Sequence, residues 1–387
     1  STNGILQGCP LSVVLLNLLM QVWANAIEAE TPCTARCYAD DAQATGKLPA
    51  DVPPVLNVTS EFCQLTGMRM NLGKCFSWAT ETDLREILSG LCFEGKPIDC
   101  LTSARFLGAQ MNFTRRRTGH RDVTPRHADA EQVLTRIASV PLALAQKAQL
   151  VESMVNSKIL FDTTIAPMSK ATMRRWRSRI VTALWGHGCP ARCLEIIFPL
   201  LCRGHATDPF QASIFRIVAG VKRMLSRHPH LLDQRTKVFN DSLEFVEALR
   251  PNDPPLDHGP VSRFIWAVKK MGWRILDPLT FVSREGIDIS LLEVDDGLLQ
   301  HTVREDLRHT LWQEAARRRP DLAGIEQGID RDATLSLHSN LKGRDKRLLS
   351  TFVCGASDTR ERRFKRKLAR HPGCLSCAEP VENTEHV

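Results

Sequence analysis

Two acids stand side by side at Asp40-Asp41, between Ala35-Arg36-Cys37-Tyr38 and Ala42-Gln43-Ala44-Thr45-Gly46. That order reads as a strand, a tight turn and a second strand, and so short a turn exposes both carboxylates together. Upstream, an apolar stretch from Leu11 to Ile27 follows Pro10, which sits just inside the start of a helix, where its missing N–H is no loss. Asn17, Gln21 and Asn25 recur every four residues in that stretch and draw a polar stripe along one helical face. The run is at the short limit for a bilayer and has no basic flank before it, which argues against a membrane span and a signal peptide and for a buried amphipathic helix. One long helix among short β-like runs, up to about Phe113, is the texture of an α+β domain. Residues 51–66 are expected to be helical, with Val55, Val58, Phe62 and Leu65 on one buried face.

At 387 residues and 43% apolar content the chain can fill the cores of two or three domains. Lys and Arg number 51 against 43 Asp and Glu, and the surplus is clustered, which favours a polyanionic partner. The thirteen cysteines, scattered from Cys9 to Cys377, lack the dense even spacing of a secreted disulfide scaffold and fit reduced thiols inside a cell. From Thr124 to about Gly188 the pattern is helical. Val133 and Ile137 share one face, and Leu150, Met154 and Phe161 continue an apolar stripe. Trp176, Ile180 and Leu184 lie at i, i+4 and i+8, while Arg174, Arg175, Arg177 and Arg179 crowd the rest of that helix. Beyond Cys189 the expectation is of helices only, around 209–226, 238–249, 261–271 and 302–318, with a Pro/Asp-rich linker or long loop at 251–260.

Adjacent aspartates on a hairpin turn suit phosphoryl transfer, because carboxylates fixed close together hold Mg²⁺, which activates a 3′-hydroxyl and neutralises a leaving pyrophosphate. The dipeptide alone is a cheap signal: Asp295-Asp296 repeats it, and most such pairs are solvated turns. The first pair is set apart by its position after Tyr38, the only tyrosine in the chain, and by ordered companions on both sides. These are Gly4-Ile5-Leu6-Gln7-Gly8-Cys9-Pro10-Leu11-Ser12 before it, and Thr66-Gly67-Met68-Arg69-Met70-Asn71-Leu72-Gly73-Lys74 and Phe106-Leu107-Gly108 after it.

Taken together, the four segments resemble the palm of a reverse transcriptase of the non-LTR retrotransposon type, including its Gly-x-x-x-Asn-x-x-Lys segment and its Phe-Leu-Gly primer-grip strand. The resemblance implies that Gln7 and Gly8 lie against the template base and the incoming nucleotide, with Pro10 and Ser12 starting the helix behind them. It places Tyr38 at the nucleotide. Asp40 becomes a ligand of the two catalytic Mg²⁺ ions, and Asp41 a lesser ligand or an orienting group. Lys74 is implied as the electrostatic partner of the pyrophosphate and its general acid, a role open to a lysine whose pKa the site lowers. Phe106, Leu107 and Gly108 would position the primer end. The implied partners are an RNA template, a DNA primer or RNA–DNA duplex, and dNTPs. No membrane and no particular oligomeric state is implied, and the expected location is an intracellular ribonucleoprotein, nuclear or cytoplasmic. Val13 departs from the second proline that many relatives carry after the serine. The family's first catalytic aspartate lies on a strand upstream of the Gln-Gly segment, so this chain, read as truncated at both ends, is expected to be inactive alone.

The basic helix with Arg174, Arg175, Arg177 and Arg179 sits where the family's thumb tracks the template–primer duplex, and its side chains are expected to neutralise phosphates without reading sequence. Arg115, Arg116, Arg117, His120 and Arg121 form a second basic patch. Near the end, Cys374-Leu375-Ser376-Cys377 offers two thiolates at a Zn²⁺-gripping spacing, with His386 as a third ligand. This resembles the zinc-binding segment that follows the polymerase region in non-LTR elements, its fourth ligand falling beyond Val387. Arg360, Arg362, Arg363, Lys365, Arg366, Lys367 and Arg370 lie just upstream, either as a nucleic-acid contact or as one solvated helix. The expected division is an α+β palm remnant over 1–113, a helical thumb over 114–188, a mainly helical linker region over 189–345, and a basic segment with an incomplete zinc knuckle over 346–387. Two other readings share the motifs: a group II intron maturase-like reverse transcriptase, and a degenerate copy that binds nucleic acid without catalysis.

Overall fold

The computed structural model describes residues 10–114, 124–164, 168–186, 192–202, 206–250, 253–255, 259–357, 359–377 and 379–382. It divides into two units, residues 1–122 and 123–387. The architecture is α+β in the first and mainly helical in the second.

In the first unit α1 (Pro10–Glu30) stops where Thr31, its hydroxyl bonded to the Ile27 carbonyl at 2.7 Å, meets Pro32, which cannot continue a helix. A hairpin follows, β1 (Thr34–Tyr38) and β2 (Asp41–Thr45), antiparallel with Tyr38 opposite Asp41 and Ala35 opposite Ala44. At Gly46 a Cβ would come within 2.9 Å of both Asp51 and Cys33, so glycine alone lets the chain pass there. Asp51 also accepts the Lys47 and Leu48 N–H groups, which turns the chain into α2 (Val52–Thr66). Met20, Trp23, Ala24 and Ile27 of α1 meet Val55, Val58 and Phe62 of α2 in one core, and Trp23 Nε1 donates to Thr59 Oγ1 at 3.1 Å.

Two expectations need correction here. Leu65 is 87% exposed, because Val55, Val58 and Phe62 alone complete the buried stripe. α1 is fully buried only at Met20, Trp23, Ala24 and Ile27, with Leu16 and Leu19 half-buried against the same core, while Leu11, Val14, Leu15, Leu18 and Val22 are all more than half exposed. By length and composition α1 is apolar enough to cross a membrane, but Trp23 and Ile27 tie its second half into the core with α2.

The unit closes with β3 (Phe76–Ser77), α3 (Thr82–Leu88), β4 (Cys92–Phe93), β5 (Lys96–Pro97), β6 (Asp99–Cys100), β7 (Ser103–Phe106) and β8 (Ala109–Asn112). β3 pairs with β6 in parallel; β4–β5 and β7–β8 are antiparallel hairpins. Trp78 stacks on Phe113 with ring centroids 4.7 Å apart.

The second unit opens with α4 (Thr124–Ser139) and α5 (Leu144–Leu150), which runs through a π-helical turn (Val151–Asn156) into α6 (Ser157–Ile159). That turn explains why the expected stripe of Leu150, Met154 and Phe161 fails: i→i+5 bonding rotates the faces, so Val151, Val155, Ile159 and Leu160 are buried while Met154 and Phe161 are exposed. α7 (Lys170–Trp185), capped by Ser169 accepting from the Thr172 N–H, buries Trp176, Ile180 and Leu184 as the spacing predicts. α8 (Leu194–Ile196), α9 (Pro209–Arg227), α10 (Leu231–Ala248), α11 (Gly259–Lys270), α12 (Asp296–Arg318), α13 (Arg331–Asn340), α14 (Gly343–Val353) and α15 (Arg360–Lys365) follow. One apolar cluster joins Leu184, Ile196, Phe198, Trp312 and Cys354, so packing runs without a break across residues 188 and 345.

The region read as helices only also holds a three-stranded antiparallel sheet, β9 (Arg274–Ile275), β10 (Thr280–Val282) and β11 (Asp288–Ser290), with β10 central. Its Phe281 and Ile289 pack with Phe264, Trp273 and Leu307. Strands of two or three residues are too short to show an alternating pattern in sequence.

Candidate active site

The turn between β1 and β2 has two central residues, Ala39 and Asp40, and Ala39 holds φ at +52°. Left-handed backbone is unfavourable for a residue with a Cβ, and such strain is found where surrounding structure fixes a functional geometry. Side chains alternate along the hairpin. Ala35 and Cys37 turn toward α1, where the Cys37 thiol reaches the Met20 carbonyl at 3.7 Å, and burial pushes that thiol above its ordinary pKa. Arg36, Tyr38, Asp41 and Gln43 therefore share the opposite face, with Tyr38 and Asp41 as a cross-strand pair and Arg36 opposite Gln43. Tyr38 is 70% exposed, and Asp40 and Asp41 are both exposed. Arg36 and Gln43 belong to this surface although no motif singled them out; strand alternation from Tyr38 was the signal that carries them.

The other expected residues fall in several places. Gln7 and Gly8 lie outside the described residues, as do His386 and the basic patch from Arg115 to Arg121. Pro10 is the first residue of α1, and Ser12 is half-buried in its first turn. Gly67, at φ +70°, ends α2, and Lys74 closes a short 3₁₀ turn (Leu72–Lys74) by donating its N–H to Asn71 O at 2.9 Å. Its side chain is exposed, and no hydrogen bond or ion pair joins it to Asp40 or Asp41 among the described residues. Phe106 ends β7, but Leu107 and Gly108 are not strand residues. With φ of +47° and +79° they form the type I′ turn into β8, and Leu107 is 43% exposed.

On α7 the four arginines separate. Arg174 and Arg175 are exposed, and Arg179 is paired with Glu131. Arg177 is no phosphate contact: its Nε and Nη2 each donate to Asp208 at 2.9 Å, and its Nη1 donates to Glu195 at 3.3 Å. It is buried between the rings of Phe198 and Phe210. Burial alone would lower its pKa, but Asp208 and then Glu195 more than offset this and hold the guanidinium above its ordinary value. A run of arginines at helical spacing carries no mark of which one faces the core.

As for metals, Asp40 and Asp41 are hard oxygen donors of the kind Mg²⁺ prefers, open to solvent and fixed by a tight turn, so they fit as two ligands. No set of three or more His, Cys, Asp or Glu side chains converges as a metal cage among the described residues. Cys374 and Cys377 lie in a turn in which Ser376 N–H points at the Cys374 sulfur (3.3 Å) and Cys374 N–H donates to Glu379 O (3.0 Å). Two thiols alone do not make a structural zinc site.

Residues 1–111 match the family model of reverse transcriptase (RNA-dependent DNA polymerase). The match takes in α1, the acid-bearing hairpin, Lys74 and Phe106, and it ends within β8. A reverse transcriptase domain works on a nucleic-acid template and primer with dNTPs and generally uses Mg²⁺, which gives the exposed acids of the hairpin a chemical context. No curated protein matches the chain.

Proposed function

We propose that the chain is part of the RNA-directed DNA polymerase of a non-LTR retrotransposon, with the β1–β2 hairpin as its nucleotidyl-transfer site. The carrying observation is the exposed Tyr38-Ala39-Asp40-Asp41 turn inside the segment that matches the reverse transcriptase family. Asp40 and Asp41 would hold Mg²⁺, which when bound supplies charge neutralisation for the phosphates of the nucleotide and the primer hydroxyl. Tyr38, on the same face as Asp41, offers a ring against which the nucleotide rests, and Lys74 a cation for the pyrophosphate. Arg174 and Arg175 are the phosphate contacts of a thumb helix, and Phe106 stands at the primer end. Cys374, Cys377 and His386 are proposed ligands of Zn²⁺, supported by the N–H directed at the Cys374 sulfur. Among the described residues no third acid joins Asp40 and Asp41 as a metal-binding group, and no templated primer extension is expected from this chain alone.

Binding tests the reading without requiring turnover. Fluorescence anisotropy should show a dNTP complementary to the template tightening the chain on an RNA–DNA primer-template in Mg²⁺. Asp40→Asn should abolish that tightening and leave nucleotide-free binding intact. Equal tightening by a mismatched dNTP, or full tightening in Asp40→Asn, would overturn the assignment.

A further inference from the structure

A cleft of about 500 Å³ opens in the second unit between α10 and the β9 strand with the loop after it. On the helix side its wall is the i, i+4, i+8 stripe Phe239, Leu243 and Glu247. The next position of that stripe, one turn earlier, is Arg235. This side chain is 4% exposed, and its Nε, Nη1 and Nη2 are buried with no hydrogen-bond acceptor among the described residues. Its guanidinium lies 5.8 Å from the Phe239 ring centroid and 4.6 Å from that of Phe264, so carbon surrounds it where oxygen is needed. Burial pulls its pKa down to about 10, with Asp277 on the cleft wall opposing, so it stays charged at neutral pH. A buried cation lacking hydrogen bonds is unfavourable, and an oxyanion with two acceptor oxygens supplies what it lacks.

The rest of the wall points to the same kind of ligand. Lys269 is already paired with Glu247 at 2.6 Å, and Asp277 Oδ1 accepts the Leu279 and Thr280 N–H groups at 2.7 and 2.9 Å. Arg274, on β9, is exposed and lines the cleft. On the wall Lys269 and Arg274 balance Glu247 and Asp277, so the excess positive charge is that of Arg235, one helical turn behind Phe239. Guanidinium groups match phosphate in shape as well as sign. The volume is within the range of small-molecule sites, room for a body attached to the phosphate.

We propose that this cleft binds the phosphomonoester of a nucleotide or of a nucleic-acid 5′ end, with Arg235 as the buried anchor and Arg274 as the contact at the mouth. Phe239 lines the cleft and Arg235, 5.8 Å from its ring centroid, does not, so engagement includes a rotamer change of that ring. The site lies outside the segment that matches the reverse transcriptase family and does not depend on whether the chain polymerises.

Calorimetric titration of the full 387-residue chain, in EDTA so that metal-dependent binding at the hairpin acids is silent, tests this with adenosine 5′-monophosphate against adenosine. The monophosphate should bind and adenosine should bind at least about tenfold more weakly, as loss of charged hydrogen bonds implies. Arg274→Ala, at an exposed position, and Arg235→Lys, which keeps charge but not the fork, should each weaken the monophosphate at least about tenfold. Should Arg235→Lys fail to fold, Arg274→Ala decides alone. A 5′-phosphorylated oligonucleotide that displaces the monophosphate, when its 5′-hydroxyl counterpart does not, assigns the site to strand ends; failure of both to displace it assigns free nucleotides. Equal binding of adenosine and its monophosphate, or unchanged affinity in Arg274→Ala, overturns the proposal.

Discussion

Ala39 carries the hairpin's acids on a left-handed backbone, and that single torsion makes the turn tight enough to place Tyr38 opposite Asp41. For an L-residue the conformation is unfavourable by roughly 1–2 kcal/mol, whereas glycine adopts it freely but loses about 0.5–1 kcal/mol more chain entropy on folding. Ala39→Gly should therefore be neutral to stabilising, by up to about 1 kcal/mol, and Ala39→Val destabilising, since β-branching crowds a positive φ further. Urea unfolding followed by tryptophan fluorescence would read both in the transition to which Trp23 and Trp78 contribute, and a stabilised Ala39→Val would refute the turn geometry. The acid pair was legible because Asp-Asp between two short β-rich runs leaves the chain little choice but a turn. The strain at Ala39 was not, because nothing in an alanine announces its φ. Leu107 repeats the lesson: read as strand, it occupies the first central position of a type I′ turn, with Gly108 supplying the second.

Among the elements, α7 joins packing to charge most tightly. Its core face of Trp176, Ile180 and Leu184 could be read from spacing, but the role of Arg177 could not, because Asp208 and Glu195 stand 31 and 18 residues away in sequence. Arg177→Met would leave those two carboxylates buried without their shared cation, and a loss of about 3–5 kcal/mol is expected from breaking such a pair on one side. Glu195 gives the same junction an acid sensitivity. Burial alone would raise its pKa, but Arg177 and then Arg318, which lies 3.2 Å from Glu195, hold it below the ordinary value. A carboxylate depressed in the folded state contributes stability that is complete above its unfolded pKa of about 4.3 and is lost as pH falls through the lower folded value. Thermal unfolding from pH 6 to 2.5 should show that loss beginning below about pH 4. Glu195→Gln should start less stable and fall less steeply; a parallel fall would mean that Glu195 is not the linked group. The π-helical turn at Val151–Asn156 escaped notice for a related reason, since a regular 3.6-residue period cannot reveal where one extra residue enters the turn.

At the scale of the whole molecule, the 51 lysines and arginines overstate the cations available to a polyanion. Several arginines are spent inside the second unit: Arg177 on Asp208 and Glu195, Arg319 and Arg362 on Asp321, and Arg308 on Glu305. The sequence total was therefore a sound guide to the sign of the partner and a poor one to the size of the footprint, because pairing over long sequence separations is invisible until the chain is folded. On α7 the difference becomes measurable. If all four arginines met phosphates, each would contribute about 0.9 to the slope of log affinity against log salt. The structure leaves Arg174 and Arg175 free to do so and ties up Arg177 and Arg179. Binding of an RNA–DNA duplex across a salt series should lose roughly 0.9 in slope for Arg174→Ala, and as much again when Arg175→Ala is added. Arg179→Ala should change the slope by well under that amount, because Glu131 is left behind as an uncompensated negative charge and shifts affinity without removing a released counterion. A full unit of slope lost at Arg179, with none at Arg174 or Arg175, would put the duplex on another face of the helix.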